Sequence, residues 1–415
     1  MHFHPAPALF IIPWNDILVP MPAGKGAYLR KITESLSAQM RSVEVGRELS
    51  GSSPPSIFIG SYNYPDVFAG PIIAPVHGDT RIMDSPESWI PSGISQEDII
   101  RYRLSLVRGK ARIGVGDLQN SFVDKLQEIA LADASVESDV TFETPPRGMT
   151  FFEEASPHGP SAAMECFDIE EGRWNGNLEK VYYDTDLSAS AAVVRLHNLG
   201  LPFSSIQKTF SAGAIGLGRK RRLVPTRWSI TACDTTIGNH LLSRVKHNSV
   251  IDCYRVHEFD SLNNHYAVLL MPTPWQYEWI EAFIHVLGKE VMVFSDHEGF
   301  RKKQEYSSVG GCFYSCRMAV LDALARQDRQ AGAIILREAR EGYVPLGVFN
   351  VRENVRHAME APPKEFSDMG SALEYLRQGF SLPLARFYNE STLIPEARKG
   401  RQTNLAAFGI QGPGP

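Results

Sequence analysis

The apolar residues of this chain come in short runs that proline or glycine closes: residues 8–12 stop at Pro13, and Ile57-Phe58-Ile59 lies between Pro55 and Gly60. A run of that length, rich in β-branched and aromatic residues and bounded by breakers, reads as a buried strand. None reaches the roughly 18 consecutive apolar residues of a membrane-crossing helix. Between these runs the apolar positions recur at helical spacing, so helices and strands alternate along the chain. The fold class that follows is mixed α/β, with a large N-terminal αβ domain, a smaller αβ C-terminal region and a flexible tail. No fixed-period repeat is present, which excludes solenoids and propellers. At 415 residues the chain has room for two or three domains.

The pattern predicts helices over 28–36, 95–108, 122–132, 188–199, 203–210, 275–287, 314–326 and 351–359. Ser95 caps the second of these, with Ile99, Tyr102 and Leu106 as its apolar side. Strands are expected over 56–60, 135–141, 181–185, 227–231, 250–256, 266–271, 290–294, 332–336 and 347–351. Pro65, Pro71 and Pro75 predict an irregular stretch over 61–80, since each proline removes a donor and constrains its neighbour. Residues 145–160 read as a long loop carrying His158, and loops of that length often carry function. The turn cluster Gly51-Ser52-Ser53-Pro54-Pro55 follows an N-terminal extension, residues 1–47. After Arg398 the pattern stops, and 398–415 reads as a solvated tail.

Lys and Arg number 42 against 47 Asp and Glu, a net charge of −5, so no global positive field draws the chain onto nucleic acid. Contact with phosphate then needs a local patch. Arg219, Lys220, Arg221 and Arg222, preceded by Gly213, Gly216 and Gly218 and followed by Arg227, form the densest one. Cations beside glycine-exposed backbone suit phosphate oxygens, and a solvated or ion-paired basic loop explains the same residues. Gly213 and Gly218 have P-loop spacing, but Arg219 and Lys220 stand where a Lys-Ser/Thr pair would handle terminal phosphates. The acids Asp79, Asp84, Asp184, Asp186 and Asp234 are scattered, and no spacing assigns a metal, a cofactor or a catalytic residue. Cys312 and Cys316 fall on one helix face as buried small hydrophobes. Trp275, Tyr277 and Trp279 read as helical core. Five cysteines, odd in number, argue against a disulfide framework, and no secretory signal opens the chain; the expected compartment is the cytoplasm.

In the tail, Gln402, Leu405 and Phe408 are spaced to share one face of a helical turn. The trio resembles the motif by which proteins dock on the PCNA sliding clamp, with Gly409 standing where that motif has a second aromatic. Elsewhere, residues 51–60 (GSSPPSIFIG), Gly78-Asp79-Thr80, Asp84-Ser85-Pro86-Glu87, 103–109 (RLSLVRG), 223–232 (LVPTRWSITA), Gly310-Gly311, Leu336-Arg337-Glu338 and Pro345-Leu346-Gly347-Val348 together resemble the archaeal Nre DNA repair proteins. The resemblance implies an N-terminal-type region over 48–290, a C-terminal-type region over 291–397 and a cytosolic DNA repair factor. PCNA, DNA and other repair proteins are its implied partners. Many members carry a cysteine-rich, zinc-finger-like N-terminal segment; here the first cysteine is Cys166. The competing expectations are a DNA- or nucleotide-processing enzyme that uses residues 213–227 to hold phosphate, and an interaction protein without DNA contact.

Overall fold

The structure is a computed structural model and describes residues 23–151, 156–301 and 303–398. Helices and strands alternate as expected, and the fold is mixed α/β. Two compact units share the chain. The first comprises residues up to 237 with 303–314 and 345–349, and the second 238–302, 315–344 and the remainder.

The first unit is built on β1 (Glu48–Ser53), β2 (Ile57–Ile59), β3 (Asp66–Ile73), β4 (Val107–Gly114), β5 (Val136–Phe142) and β6 (Ser161–Ile169). Their order is β1-β5-β6-β4-β3-β2, antiparallel except where β4 runs parallel to β6. The proline-bearing stretch expected to be irregular contains β3. Pro71 is tolerated because the position of its missing N–H falls between the Ala69↔Ala111 and Ile72↔Arg108 pairs, where the ladder is interrupted. Gly70 permits the close approach there, since a Cβ at that position would lie 2.0 Å from the Gly109 carbonyl oxygen.

Two further expectations fail in this unit. Residues 181–185 are not a strand: the helix Gly176–Tyr183 takes in 181–183 and Asp184 is its C-cap, the helix being begun by the Asn175 side chain, which accepts from the N–H groups of Asn177 and Leu178. That cap outweighs the strand propensity of Val-Tyr-Tyr. Residues 227–231 open the helix Thr226–Val245 instead of a strand. Cys233, Ile237, Leu241 and Val245, spaced by four, are all buried along it, so burial at helical period decides against local β propensity. The helix from Ser95 is as expected, with the Ser95 hydroxyl accepting from Asp98 N–H, but it ends at Ser105 because the chain turns into β4.

The second unit contains β7 (Ser249–Val250), β8 (Tyr254–Ser261), β9 (Asn264–Met271), β10 (Tyr277–Ile284), β11 (Val291–Glu298), β12 (Arg329–Gln330), β13 (Gly332–Ala339) and β14 (Lys364–Phe366). β7 and β12 form a parallel pair, and the main sheet has the order β11-β10-β13-β9-β8-β14. Residues 275–287, expected to be a helix, supply β10. Periodicity misleads there because the strand is buried on both faces and shows no alternation. Ile280 and Ala282 join Leu269, Ile334 and Leu336 in a core closed by the helices Met369–Gly379, Leu384–Glu390 and Leu393–Arg398. Tyr277 and Trp279 face the other way. Residues 347–351 are likewise no strand but run into the helix Val348–Glu360. Cys312 and Cys316 are buried in the helix Gly311–Arg326.

Candidate nucleic-acid interface

The basic patch singled out in the sequence lies in the first unit around a 3-10 turn, Gly218–Lys220. Arg219, Lys220 and Arg222 are exposed there, and Arg227 is exposed near the start of the helix Thr226–Val245. Arg221 differs: its Nε donates to the Gly216 carbonyl at 2.8 Å and its Nη2 to that of Tyr182 at 2.7 Å. That guanidinium fastens the turn to the end of the helix Gly176–Tyr183 and satisfies carbonyls that the helix leaves open. The glycines also serve packing. Gly213 N–H donates to Phe210 and Gly218 N–H to Thr185, and a Cβ on Gly213 would lie 2.7 Å from the Arg222 carbonyl oxygen. Side-chain charge, not a backbone cradle, is what this segment presents.

Three aromatic rings that the sequence reading did not single out border the turn. Trp174 meets Tyr182 edge-on at 5.1 Å and stacks with Tyr183 at 6.3 Å, while Arg221 lies over Tyr182 at 5.5 Å. Tyr183 remains 67% exposed. An exposed ring beside exposed cations is the pairing that unpaired bases and their phosphates use. All three rings are visible in the sequence, but they meet only because residues 176–183 form a helix that brings Tyr182 and Tyr183 back to Trp174, where a strand is expected.

A second charge cluster lies deeper in the same unit. Asp84 receives Nη1 of Arg103 and, at 3.0 Å, Nζ of Lys208. Burial would raise the Asp84 carboxyl, yet Arg103 and Lys208 overcome it and hold the group below its usual range. Arg103 also donates through Nε to the Pro157 carbonyl at 3.0 Å, anchoring the loop that carries His158. His158 is buried, and burial, followed by the charge of Arg108, pushes its imidazole down to about 3. Burial likewise lowers Arg108 to about 9, with Arg103 adding to the shift and Asp84 opposing it. Asp84 is therefore spent on two cations. Of the other acids, Asp79 pairs with Arg81 at 2.7 Å and Asp184 caps Leu187 N–H at 3.1 Å. Among the described residues no three His, Cys, Asp or Glu side chains come together to hold a metal ion.

These contacts gather the separated segments noted in the sequence. Gly78 N–H donates to the Ser52 hydroxyl at 2.8 Å, Thr80 Oγ1 donates to the Ser52 carbonyl at 3.3 Å, and Ile59 N–H donates to Thr226 Oγ1 at 3.0 Å. Together with the Asp84 to Arg103 pair they define a mixed αβ unit in which dispersed polar motifs meet around one sheet. Residues 27–286 match the model of the archaeal Nre N-terminal region, and residues 298–408 that of the Nre C-terminal region. The chain is 38% identical to the DNA repair protein NreB of Archaeoglobus fulgidus over 386 residues, covering 91% of this chain and 96% of that protein. Its identity to the DNA repair protein NreA is 32% for Archaeoglobus fulgidus (89% of this chain, 92% of that protein) and 31% for Haloferax volcanii (88% and 89%). No solved structure matches it. The chain belongs to the archaeal Nre family.

Proposed function

We propose that this protein is a cytoplasmic DNA repair factor recruited to the PCNA sliding clamp by Gln402, Leu405 and Phe408. It contacts DNA through Arg219, Lys220, Arg222 and Arg227, with Arg221 holding the turn that presents them. The observation that carries the reading is the 38% identity, running along nearly the whole of both chains, to a protein named for DNA repair. The tail trio lies outside the described residues but inside the stretch that matches the C-terminal family region. No helix among the described residues is long and apolar enough to cross a membrane.

Calorimetric titration of the cognate clamp with the full chain, a Phe408→Ala variant and a chain ending at Lys399 tests the recruitment. Binding lost in both variants is the expected result, because the aromatic anchor of such a turn supplies much of its buried apolar area. Equal binding by all three would move the docking surface to the folded units. Absence of binding by the full chain would remove the clamp from this reading.

A further inference from the structure

The second face of β2, β3 and β4 carries cations and rings: Arg108 and Phe58 pack at one end, with Phe58 against the buried cluster of Ile72, Ala74 and Leu106, and Phe68, Lys110 and Arg112 lie beyond them. Side chains alternate across a strand, so Arg108, Lys110 and Arg112 share one face of β4. The register places Ile72 opposite Arg108 and Phe68 opposite Arg112, and Phe58 of β2 opposite Gly70, which brings Phe58 and Phe68 onto that same face. β6 adds only Ser161 and Ala163 beside Arg108 and Lys110. The opposite face, with Ile57, Ile59, Val67, Ala69 and Ile113, is buried core.

Towards Phe68 and Arg112 this face is open to solvent and basic, while towards Ile72 and Arg108 it is covered. Phe68 is 38% exposed and the Arg112 side chain 66% exposed, with Asp66 its nearest carboxylate at 4.0 Å. Arg108 lies flat over the Phe58 ring, its guanidinium carbon 3.6 Å from the centroid. Although Arg108 is nine-tenths buried, its Nε has no hydrogen-bond acceptor and its guanidinium no ion-paired carboxylate among the described residues. A buried cation without an ion-paired carboxylate costs stability, and Asp84, already paired with Arg103 and Lys208, offsets that only in part. Successive cations on β4 are about 6.6 Å apart, a spacing that the phosphates of an extended strand can follow.

We propose that this face binds single-stranded DNA, with a base stacked on Phe68 and phosphates held by Lys110 and Arg112. Unpaired bases suit it because a ring on an open sheet offers a stacking surface that a duplex, with its bases already stacked, cannot use. Lys110 and Arg112 beside Asp66 favour a polyanion over an apolar protein segment, since Glu165, the next exposed acid on the adjoining β6, is paired with Arg47 at 2.7 Å. The proposal rests on the chain's being a DNA repair factor and is independent of clamp recruitment.

Anisotropy of a labelled oligothymidylate with the full-length protein tests it. Phe68→Ala is expected to weaken binding about tenfold, within the range for loss of one stacked base. The pair Lys110→Gln and Arg112→Gln is expected to reduce the slope of log affinity against log salt by about 1.4, two phosphate contacts' worth on a single strand. All three side chains are at least partly exposed, and unchanged melting temperatures identify the variants as folded. Wild-type affinity in both sets would overturn the proposal. If affinity fell only in a variant with Arg219, Lys220 and Arg222 changed to Gln, the DNA repair reading would stand and this face would not. Tenfold tighter binding of an oligoribonucleotide of the same length, or equal binding of duplex, would overturn the assignment to single-stranded DNA. Failure of the clamp titration would leave this result untouched.

Discussion

Arg337 in the second unit and Arg108 in the first are both buried and both stacked on aromatic rings, yet only Arg337 is matched by a carboxylate. Arg337 donates to Glu281 at 2.9 Å and to Asn264 at 3.0 Å, and its guanidinium lies 5.0 Å from the Tyr343 ring. Arg108 has Phe58 and no ion-paired carboxylate among the described residues, Asp84 acting on it only from beyond contact. The sheets around them differ in the same sense. β9, β10 and β13 are buried on both faces, so every charge placed there must be satisfied internally. Glu338 accepts from the N–H groups of Ser381 and Leu382, and Glu278 from those of Thr392 and Leu393, ahead of two short helices. β3 and β4 turn one face to water at the end that carries Phe68 and Arg112, and cations there exceed acids. Charge on the buried sheet of the second unit closes its own architecture; in the first unit Asp84 and Arg221 are likewise consumed by the fold, while Lys110 and Arg112 on β4 stay at the surface.

The largest effect expected from that contrast is at the matched pair. Arg337→Met strands the Glu281 carboxylate in the core without its guanidinium and should cost about 3–5 kcal/mol in urea unfolding of the full chain. A loss under about 1 kcal/mol would dissolve the distinction between the two arginines. Next comes His158, whose folded pKa of about 3 lies below its ordinary 6.5. Below pH 6.5 the unfolded chain takes up a proton that the folded one refuses, so stability falls with pH by about 1.4 kcal/mol per unit until about 3. Unfolding measured at pH 7 and pH 5 should show that slope in the parent and lose most of it in His158→Gln; equal slopes would place the acid sensitivity elsewhere. The smallest expected effect has the opposite sign. Arg108→Met keeps apolar contact with Phe58 and removes the unmatched charge, and should raise stability by about 1 kcal/mol. A drop comparable to that of Arg337→Met would show Arg108 to be structural and break the comparison.

Much of the molecule was legible residue by residue. Ser95, Asn120 and Ser188 cap their helices with their own oxygens, and strands such as β5 alternate buried and exposed positions, so local chemistry announces them. β10 was not legible, because a strand buried on both faces carries no period that separates it from a buried helix. β3 was hidden by Pro71, which is compatible with a strand only where its partner's register leaves a gap. The basic residues 219–222 stood out as a run, whereas Arg108, Lys110 and Arg112 are diluted by Gly109 and Ala111 and become a stripe only once they lie on a strand.

The sequence by itself determined the fold class and the family, because each is written in near neighbours or in ordered motifs. Which cations are spent on the fold and which remain available was decided only by tertiary structure. Arg221 and Arg222 are adjacent and chemically alike, and one is consumed by the carbonyls of Gly216 and Tyr182 while the other faces solvent. The free energy of a charge depends on its burial and on partners that are distant along the chain, and those are set when the strands pair.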